Sequence, residues 1–254
     1  MSGRRGDPAL PARAVAVAIP AHNEEALLGR CLASVHRALD VAHARESGLR
    51  SALVVVLDAC TDASEAQVGD TDVVRIDARC VGTARRAAVA AALARLAPDD
   101  AGPAAGDGMD PDRTWIAMTD ADTVVPEGWV THQLDLMDGG ADAVLGTVRP
   151  DFADLSERHA AYWRATHHRG RPPGNVHGAN LGVRARAYLD AGGVPHLPAH
   201  EDVALVEALR RRGADIRASD EHEVETSGRF VGRTPAGYAA FLEQVHLRLD
   251  AAAR

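Results

Sequence analysis

The sequence predicts an α/β fold built on a single, mostly parallel sheet, because short apolar segments alternate with segments of helical periodicity. The segments 14–19 (AVAVAI) and 53–57 (LVVVL) are apolar at every position, which is typical of strands buried on both faces. Apolar residues at helical spacing follow the first segment, and an alanine-rich helical pattern occupies 83–96. We therefore expect helices on both faces of the sheet.

The remaining elements are predicted from the same periodicities and from their end signals. The helix after the first strand has apolar residues from Leu27 to Leu39, and we expect Asn23 to cap it, with Glu24 and Glu25 in its first turn. Further strands are predicted at 73–76, 115–118 and 143–148, and further helices at 128–138, 151–169, 201–212 and 236–252.

Two segments fall outside this pattern. The chain has 254 residues, which is enough for one large domain. Residues 1–12 are expected to form a flexible tail. Residues 98–113 are rich in Gly, Pro and Asp, so we expect a disordered surface insertion there.

Composition excludes several classes of protein. The net charge is −8 and the basic residues are scattered, which argues against nucleic acid as a partner. All 28 basic residues are arginine, so mechanisms that need a lysine, such as P-loop or Schiff-base chemistry, are excluded. Three cysteines without Cys-x-x-Cys spacing favour a reducing, cytoplasmic location, with or without peripheral contact to a membrane. No apolar segment approaches the ~20 residues of a transmembrane helix.

The most informative segment is 114–126 (TWIAMTDADTVVP), where an apolar strand ends in Asp120-Ala121-Asp122. Because side chains alternate along a strand, the two carboxylates are expected to project to the same side. Two adjacent carboxylates need a cation, a proton or a donor, and Mg²⁺ typically takes one or two carboxylates plus phosphate oxygens. The alternative is a pair of solvated aspartates in a turn.

Polar loops also follow the first two apolar strands, at 20–24 and at 58–62. In open α/β sheets, ligands bind outside the carboxyl ends of the strands, so Asp58, Asp62, Asp120 and Asp122 are expected to share one rim. The alternative for Asp58 and Asp62 is turn formation and helix capping. Late in the chain, Ser227-Gly228-Arg229 and Arg233 predict either a basic lid or a flexible loop paired with acids.

The order of short motifs resembles that of the inverting family 2 glycosyltransferases of the GT-A fold. The motifs that carry the resemblance are Pro20-Ala21-His22-Asn23-Glu24-Glu25, Asp58-Ala59-Cys60-Thr61-Asp62, Gly82-Thr83-Ala84-Arg85-Arg86, Asp120-Ala121-Asp122, Gly178-Ala179-Asn180, Gly192-Gly193 and Glu201-Asp202. They cover about residues 13–230. The chain departs from the family pattern at Leu57, Ala59 and Arg86, which leaves the choice of nucleotide open.

The resemblance implies a role for each matching position. Pro20, Asn23 and Glu24 border the base and ribose, Asp58 lies against the base, and Arg85 reaches the base or the diphosphate. Asp120 contacts the ribose or the metal, and Asp122 binds Mg²⁺ or Mn²⁺. Asp202 is the catalytic base, with Glu201 beside it positioning the acceptor, and Gly178 and Asn180 contact substrate. His222 is a candidate third metal ligand, the alternative being a surface histidine.

These roles imply a metal-dependent, inverting glycosyltransferase that moves a sugar from a nucleotide-diphosphate sugar to a small-molecule, glycan or lipid-linked acceptor. Residues 13–125 would be its nucleotide-binding half, 126–235 its acceptor half and 236–254 a C-terminal helix. Two alternatives are a sugar-phosphate nucleotidyltransferase and a non-catalytic nucleotide-sugar-binding module. The first normally needs a glycine-rich first loop and a lysine, which this sequence lacks.

Overall fold

The computed structural model describes residues 14–97, 109–170, 172, 174–233 and 237–251. The strands are β1 (Ala14–Ala21), β2 (Arg50–Asp58), β3 (Asp72–Ile76), β4 (Thr114–Met118), β5 (Thr123–Val124), β6 (Ala143–Pro150), β7 (Leu181–Arg184) and β8 (Ile216–Thr226). The helices are α1 (Leu28–Arg45), α2 (Val81–Leu96), α3 (Trp129–Asp138), α4 (Glu157–Thr166), α5 (Ala185–Asp190), α6 (Glu201–Arg211) and α7 (Tyr238–Ala251). The predicted tail and residues 98–108 of the predicted insertion lie outside the described residues.

The eight strands form one sheet in the order β3-β2-β1-β4-β7-β6-β8-β5. Strands β1 to β4 are mutually parallel, whereas β7 runs antiparallel to both β4 and β6. The carboxyl ends of β1, β2 and β4 therefore meet at one edge of the sheet. This arrangement confirms the predicted α/β fold with a mostly parallel sheet flanked by helices.

The alternation of side chains along β1 divides the core into two layers. Val15, Val17 and Ile19 pack on the face that is covered by α1 and α3. The alanines at 14, 16 and 18 face the opposite layer, which contains α2, α5 and α6. Alanines in both β1 and α2 allow the helix to approach the sheet closely, so the low aromatic content of the chain is compatible with a well-packed core.

Neither the apolar periodicity nor the end signals predicted β5, β7, α5 or β8. Strand β8 has a charged sequence (IRASDEHEVET) and is half-buried along most of its length, so it lacks the apolar run of β1 and β2. The expected cap at Asn23 is wrong, because α1 begins after Leu27 and Asn23 has a left-handed backbone (φ 54°). The Oδ1 of Asn23 instead accepts a hydrogen bond from the backbone N–H of Thr61 at 2.8 Å.

Two features bear on the expected reducing location and on the expected lack of a transmembrane helix. Cys31, Cys60 and Cys80 are all free thiols. Within the described ranges, none of the helices combines the length and apolar character needed to cross a bilayer.

Candidate active site

A cavity of about 1160 Å³ lies at the sheet edge where β1, β2 and β4 end. Most of the residues that the sequence singles out line this cavity, although they are distant in the chain. They are Pro20, Glu24, Asp58, Arg85, Asp120, Asp122, Gly178, Glu201 and Asp202. The structure therefore brings both halves of the predicted site together in one space.

Asp58, the last residue of β2, shapes one end of the cavity. Its side chain is buried and accepts hydrogen bonds from three consecutive backbone N–H groups, those of Ala78 (2.7 Å), Arg79 (2.8 Å) and Cys80 (2.9 Å). Arg79 has a left-handed backbone (φ 49°), which turns the three amides toward one carboxylate. Asp58 thus holds the loop that leads into α2, and its carboxylate has little hydrogen-bonding capacity left for a ligand.

Arg85 lies in the second turn of α2 and joins the two ends of the cavity. Its guanidinium is buried and donates to Glu201 Oε1 (3.0 Å), Asp120 Oδ1 (2.7 Å) and the carbonyl oxygen of Gly178 (3.1 Å). Burial raises the pKa of Glu201, and the charge of Arg85 opposes this shift. These hydrogen bonds hold Asp120 and Glu201 against the one guanidinium.

Asp120 and Asp122 lie directly after β4 and face the cavity together. The Asp120 side chain is 37% exposed and that of Asp122 is 16% exposed. Asp122 Oδ1 accepts a hydrogen bond from the Thr226 hydroxyl at 3.2 Å. Burial and the neighbouring charge of Asp120 raise the pKa of Asp122 to about 6. This excess of negative charge in a partly buried position is suited to a cation.

The segment Ser227–Arg233, which we call the lid, reaches across the cavity after β8. Arg229 donates to both carboxylate oxygens of Glu24, at 2.9 and 2.5 Å, and its Nη2 lies 2.9 Å from Asp122 Oδ2. Arg233 Nε is 3.6 Å from Glu24 Oε1. The lid is therefore basic, and in this structure its arginines pair with acids.

Glu201 and Asp202 begin α6, where carboxylates are favoured by the helix dipole. They are adjacent in sequence but have different surroundings. Glu201 is buried against Arg85, whereas Asp202 is half-buried and lines the cavity. Asp202 Oδ2 accepts from the backbone N–H of Gly178 at 2.7 Å, which fixes the orientation of its carboxylate.

Three predicted site residues lie outside the cavity wall formed by the described residues. Asn180 is buried: its Oδ1 accepts from Trp129 Nε1 (2.9 Å), and its Nδ2 donates to the carbonyl oxygens of Thr147 and His222. Asn23 is held by Thr61. The protein engages both ends of the Asn180 amide but only the side-chain oxygen of Asn23. Substrate contact by these two residues stays a prediction.

His222 is the third of these residues, and its ring packs beside that of His132, with centroids 4.9 Å apart. A Cβ on Gly128 would overlap the His222 ring, so the two elements approach closely there. In the part of the chain that the structure describes, no three His, Cys, Asp or Glu side chains converge as a preformed metal site. Among the described residues, His222 is therefore not brought together with Asp120 and Asp122, and its role as a metal ligand stays a prediction.

Thr226 and His177 are cavity residues that belong to none of the sequence motifs. Thr226 bonds to Asp122, and the preceding strand gave no apolar pattern. His177 lies beside Tyr238 (centroids 6.1 Å apart), and burial lowers the pKa of its imidazole, opposed by the charge of Asp202. The only available signal for His177 was its position directly before the Gly178 motif.

Residues 16–186 match the family model described as Glycosyl transferase family 2, which is more than half of the chain. The chain therefore belongs to glycosyl transferase family 2 and is a glycosyltransferase. A comparison with curated proteins found no match.

Solved structures of glycosyltransferases share the fold at low sequence identity. A Pyrobaculum calidifontis mannosyltransferase in complex with GDP-Man and Mn²⁺ is 17% identical, with a TM-score of 0.53 over 96% of this chain and 71% of that chain. The glucosyl-3-phosphoglycerate synthase of Mycobacterium tuberculosis, in complex with Mg²⁺ and UDP, is 16% identical, with a TM-score of 0.50 over 93% and 79% of the two chains. The likeness confirms the GT-A fold.

Proposed function

We propose that the protein is a metal-dependent, inverting glycosyltransferase that moves a sugar from a nucleotide-diphosphate sugar to an acceptor hydroxyl. The observation that carries this proposal is the placement of Asp120 and Asp122 in the same cavity as Asp202. The same cavity thus offers a cation site for a diphosphate and a carboxylate base. The two similar glycosyltransferase structures contain GDP-Man with Mn²⁺ and UDP with Mg²⁺.

The residues present fit a hard divalent cation. Asp120 and Asp122 offer carboxylate oxygens, the ligands that Mg²⁺ and Mn²⁺ prefer. The raised pKa of Asp122 reflects its burial beside a second carboxylate, and a bound cation would relieve that repulsion. Mg²⁺ or Mn²⁺ at these oxygens would stabilise the negative charge that develops on the diphosphate leaving group.

Asp202 is the proposed catalytic base. In a single displacement, the acceptor oxygen bonds to the anomeric carbon as the bond to the diphosphate breaks, which inverts the configuration. Asp202 accepts the hydroxyl proton during this step. Each of its oxygens accepts one backbone N–H, from Gly178 (2.7 Å) and from Val203 (2.8 Å), and these bonds hold the carboxylate in the cavity wall. Glu201 is instead bound to Arg85 and acts as a positioning residue.

The nucleotide lies at the end of the cavity that is formed by Pro20 and the loop held by Asp58. In this assignment Asp58 acts through the loop at 78–80, and residues 13–125 form the nucleotide-binding half. Residues 126–235 and the C-terminal helix form the acceptor side, where Tyr238 and the partly exposed Phe241 line the wall.

A two-stage experiment tests the proposal. A thermal-shift screen of UDP, GDP and dTDP sugars with Mn²⁺ is expected to find one donor that raises the melting temperature, since a ligand of the folded state stabilises it. Release of the nucleoside diphosphate from that donor is then measured for wild type, Asp202→Asn and Asp135→Asn. The last is a control, because Asp135 lies on the exposed side of α3 in an ion pair with Arg45.

Asp202→Asn is expected to keep the thermal shift and to lose turnover by about 100-fold or more, as is typical for removal of a general base. The Asp135→Asn control is expected to behave as wild type. Wild-type turnover in Asp202→Asn would refute the assignment of Asp202 as the catalytic base. A donor that binds without turnover on any acceptor would favour a binding module, and pyrophosphate release from a nucleoside triphosphate and a sugar phosphate would favour a nucleotidyltransferase.

A further inference from the structure

Arg229 places a guanidinium against a carboxylate of the proposed metal site. Its Nη2 lies 2.9 Å from Asp122 Oδ2, and the same guanidinium forms two hydrogen bonds with Glu24. Glu24 is only 6% exposed, so its carboxylate is paired with this guanidinium rather than solvated by water. Burial alone would lower the pKa of Arg229, but Glu24 and the charge of Asp122 raise it, so the group is cationic.

The position of Arg229 is fixed by contacts on both sides of it in the lid. Asp154 Oδ2 accepts from the Gly228 amide (2.8 Å) and from the Ser227 hydroxyl (3.3 Å). On the other side, the ring of Phe230 packs against the rings of both His159 and His246, with centroid distances of 5.5 and 4.9 Å, and the two histidine rings also contact each other at 6.0 Å. These contacts on both sides hold Arg229 beside the carboxylates of Glu24 and Asp122.

A guanidinium and a divalent cation cannot both occupy the space in front of one carboxylate oxygen. Charge-assisted hydrogen bonds of this type are about twice as strong as neutral ones, so displacing Arg229 opposes metal binding. We propose that Arg229 is an internal counter-ion that competes with the divalent metal for Asp122. This inference rests on the proposed metal site.

The competition between Arg229 and the metal couples metal binding to nucleotide binding. A metal ion alone must displace Arg229 from Asp122, which disturbs the hydrogen bonds of the same guanidinium with the buried Glu24. A nucleoside diphosphate brings further negative charge, to which the released guanidinium can bind. Metal and nucleotide therefore bind cooperatively, and the coupling is expected to depend on Arg229.

Direct Mn²⁺ titration tests this inference without any turnover. Free Mn²⁺ is followed by electron paramagnetic resonance for wild type, Arg229→Gln and Arg233→Gln, each without nucleotide. Arg233→Gln removes the same charge from the same lid, but Arg233 is half exposed and lies 3.6 Å from Glu24. Circular dichroism melts confirm that each variant is folded.

Arg229→Gln is expected to bind Mn²⁺ alone about 10-fold tighter than wild type or more, which corresponds to the loss of one charged hydrogen bond. Arg233→Gln is expected to stay within about 2-fold of wild type, as is typical of an exposed pair. Equal Mn²⁺ affinity of Arg229→Gln and wild type would overturn the inference.

A second Mn²⁺ titration, with saturating UDP or GDP, distinguishes a wrong role for Arg229 from a wrong metal site. Mn²⁺ binding to all three proteins with nucleotide, but equal binding without it, would overturn only the role of Arg229. If none of the proteins bound Mn²⁺ with either nucleotide, the metal site itself would be refuted, and the competition with it.

Discussion

Replacing Arg85 with methionine is expected to be among the most damaging single changes in the chain. The substitution keeps an unbranched side chain of similar length on α2 but removes the charge and every hydrogen bond of the guanidinium. Glu201 is then left buried, with a side chain only 5% exposed and no counter-ion from α2. Asp120 also loses its partner, but its side chain is 37% exposed and water can solvate it.

The magnitude follows from the burial of Glu201. Removing one partner of a buried ion pair costs about 3–5 kcal/mol, because the remaining charge is left uncompensated. For a chain of this size, each kcal/mol lowers the melting temperature by about 2–4 °C, so the expected drop is about 6–20 °C. The double variant Arg85→Met/Glu201→Gln carries no stranded charge and is expected to regain at least about 1 kcal/mol.

The assay is urea unfolding followed by tryptophan fluorescence, with Arg45→Met as the matched control. Arg45 pairs with Asp135 on the surface, and both side chains are at least half exposed. Such a pair contributes less than about 1 kcal/mol, so the control is expected to unfold near wild type. If Arg85→Met lost no more unfolding free energy than Arg45→Met, the assigned cost of the unpaired Glu201 would be refuted.

Three further predictions concern other parts of the fold. Iodoacetamide is expected to modify Cys60 well before Cys31 under native conditions, because burial raises the pKa of Cys31 and leaves it 1% exposed; mass spectrometry showing equal labelling would contradict this. Burial and a neighbouring histidine lower the pKa of His159 below its ordinary 6.5, so the unfolded state binds the extra proton and stability falls as the pH drops through about 6.5. The melting temperature of His159→Phe is therefore expected to fall less than that of wild type between about pH 7 and pH 5. An equal fall in the two proteins would contradict the role of His159. Gly146→Ala is expected to cost about 1–3 kcal/mol in urea unfolding, since the new methyl overlaps a buried asparagine. Gly48→Ala has open space around it and serves as the control.

The parts of the fold that the sequence predicted are those governed by local patterning. The strands β1, β2 and β4 are apolar at nearly every position because both of their faces are covered by helices. The rule that ligands bind at the carboxyl ends of parallel strands then placed Asp58, Asp120 and Asp122 at one edge. Asp62, which was expected at the same rim, is not among the residues lining the cavity and instead caps the turn Ala63–Gln67 by accepting from the Ser64 N–H. Strand β8 was not predicted because many of its residues are charged and half-buried. They pair with residues distant in the chain, and the local sequence does not show such pairing.

The roles of individual site residues depended on contacts between distant segments. Glu201 and Asp202 are separated by about 100° around the helix axis, so one faces Arg85 in the core while the other faces the cavity. The sequence could not fix that rotation. Asn180 and His222 were likewise assigned to the site from motif order, but packing against Trp129 and His132 holds them elsewhere.

In the proposed mechanism, Asp122 binds a divalent cation that in turn binds the donor diphosphate. Calorimetric titration of UDP and GDP into wild type and Asp122→Asn, with Mn²⁺ and again after EDTA, tests it most directly. We expect one of the two nucleotides to bind wild type at least about 10-fold tighter with Mn²⁺ than after EDTA, and Asp122→Asn to lose this difference. Equal Mn²⁺ dependence in the two proteins would contradict the assignment of the metal to Asp122.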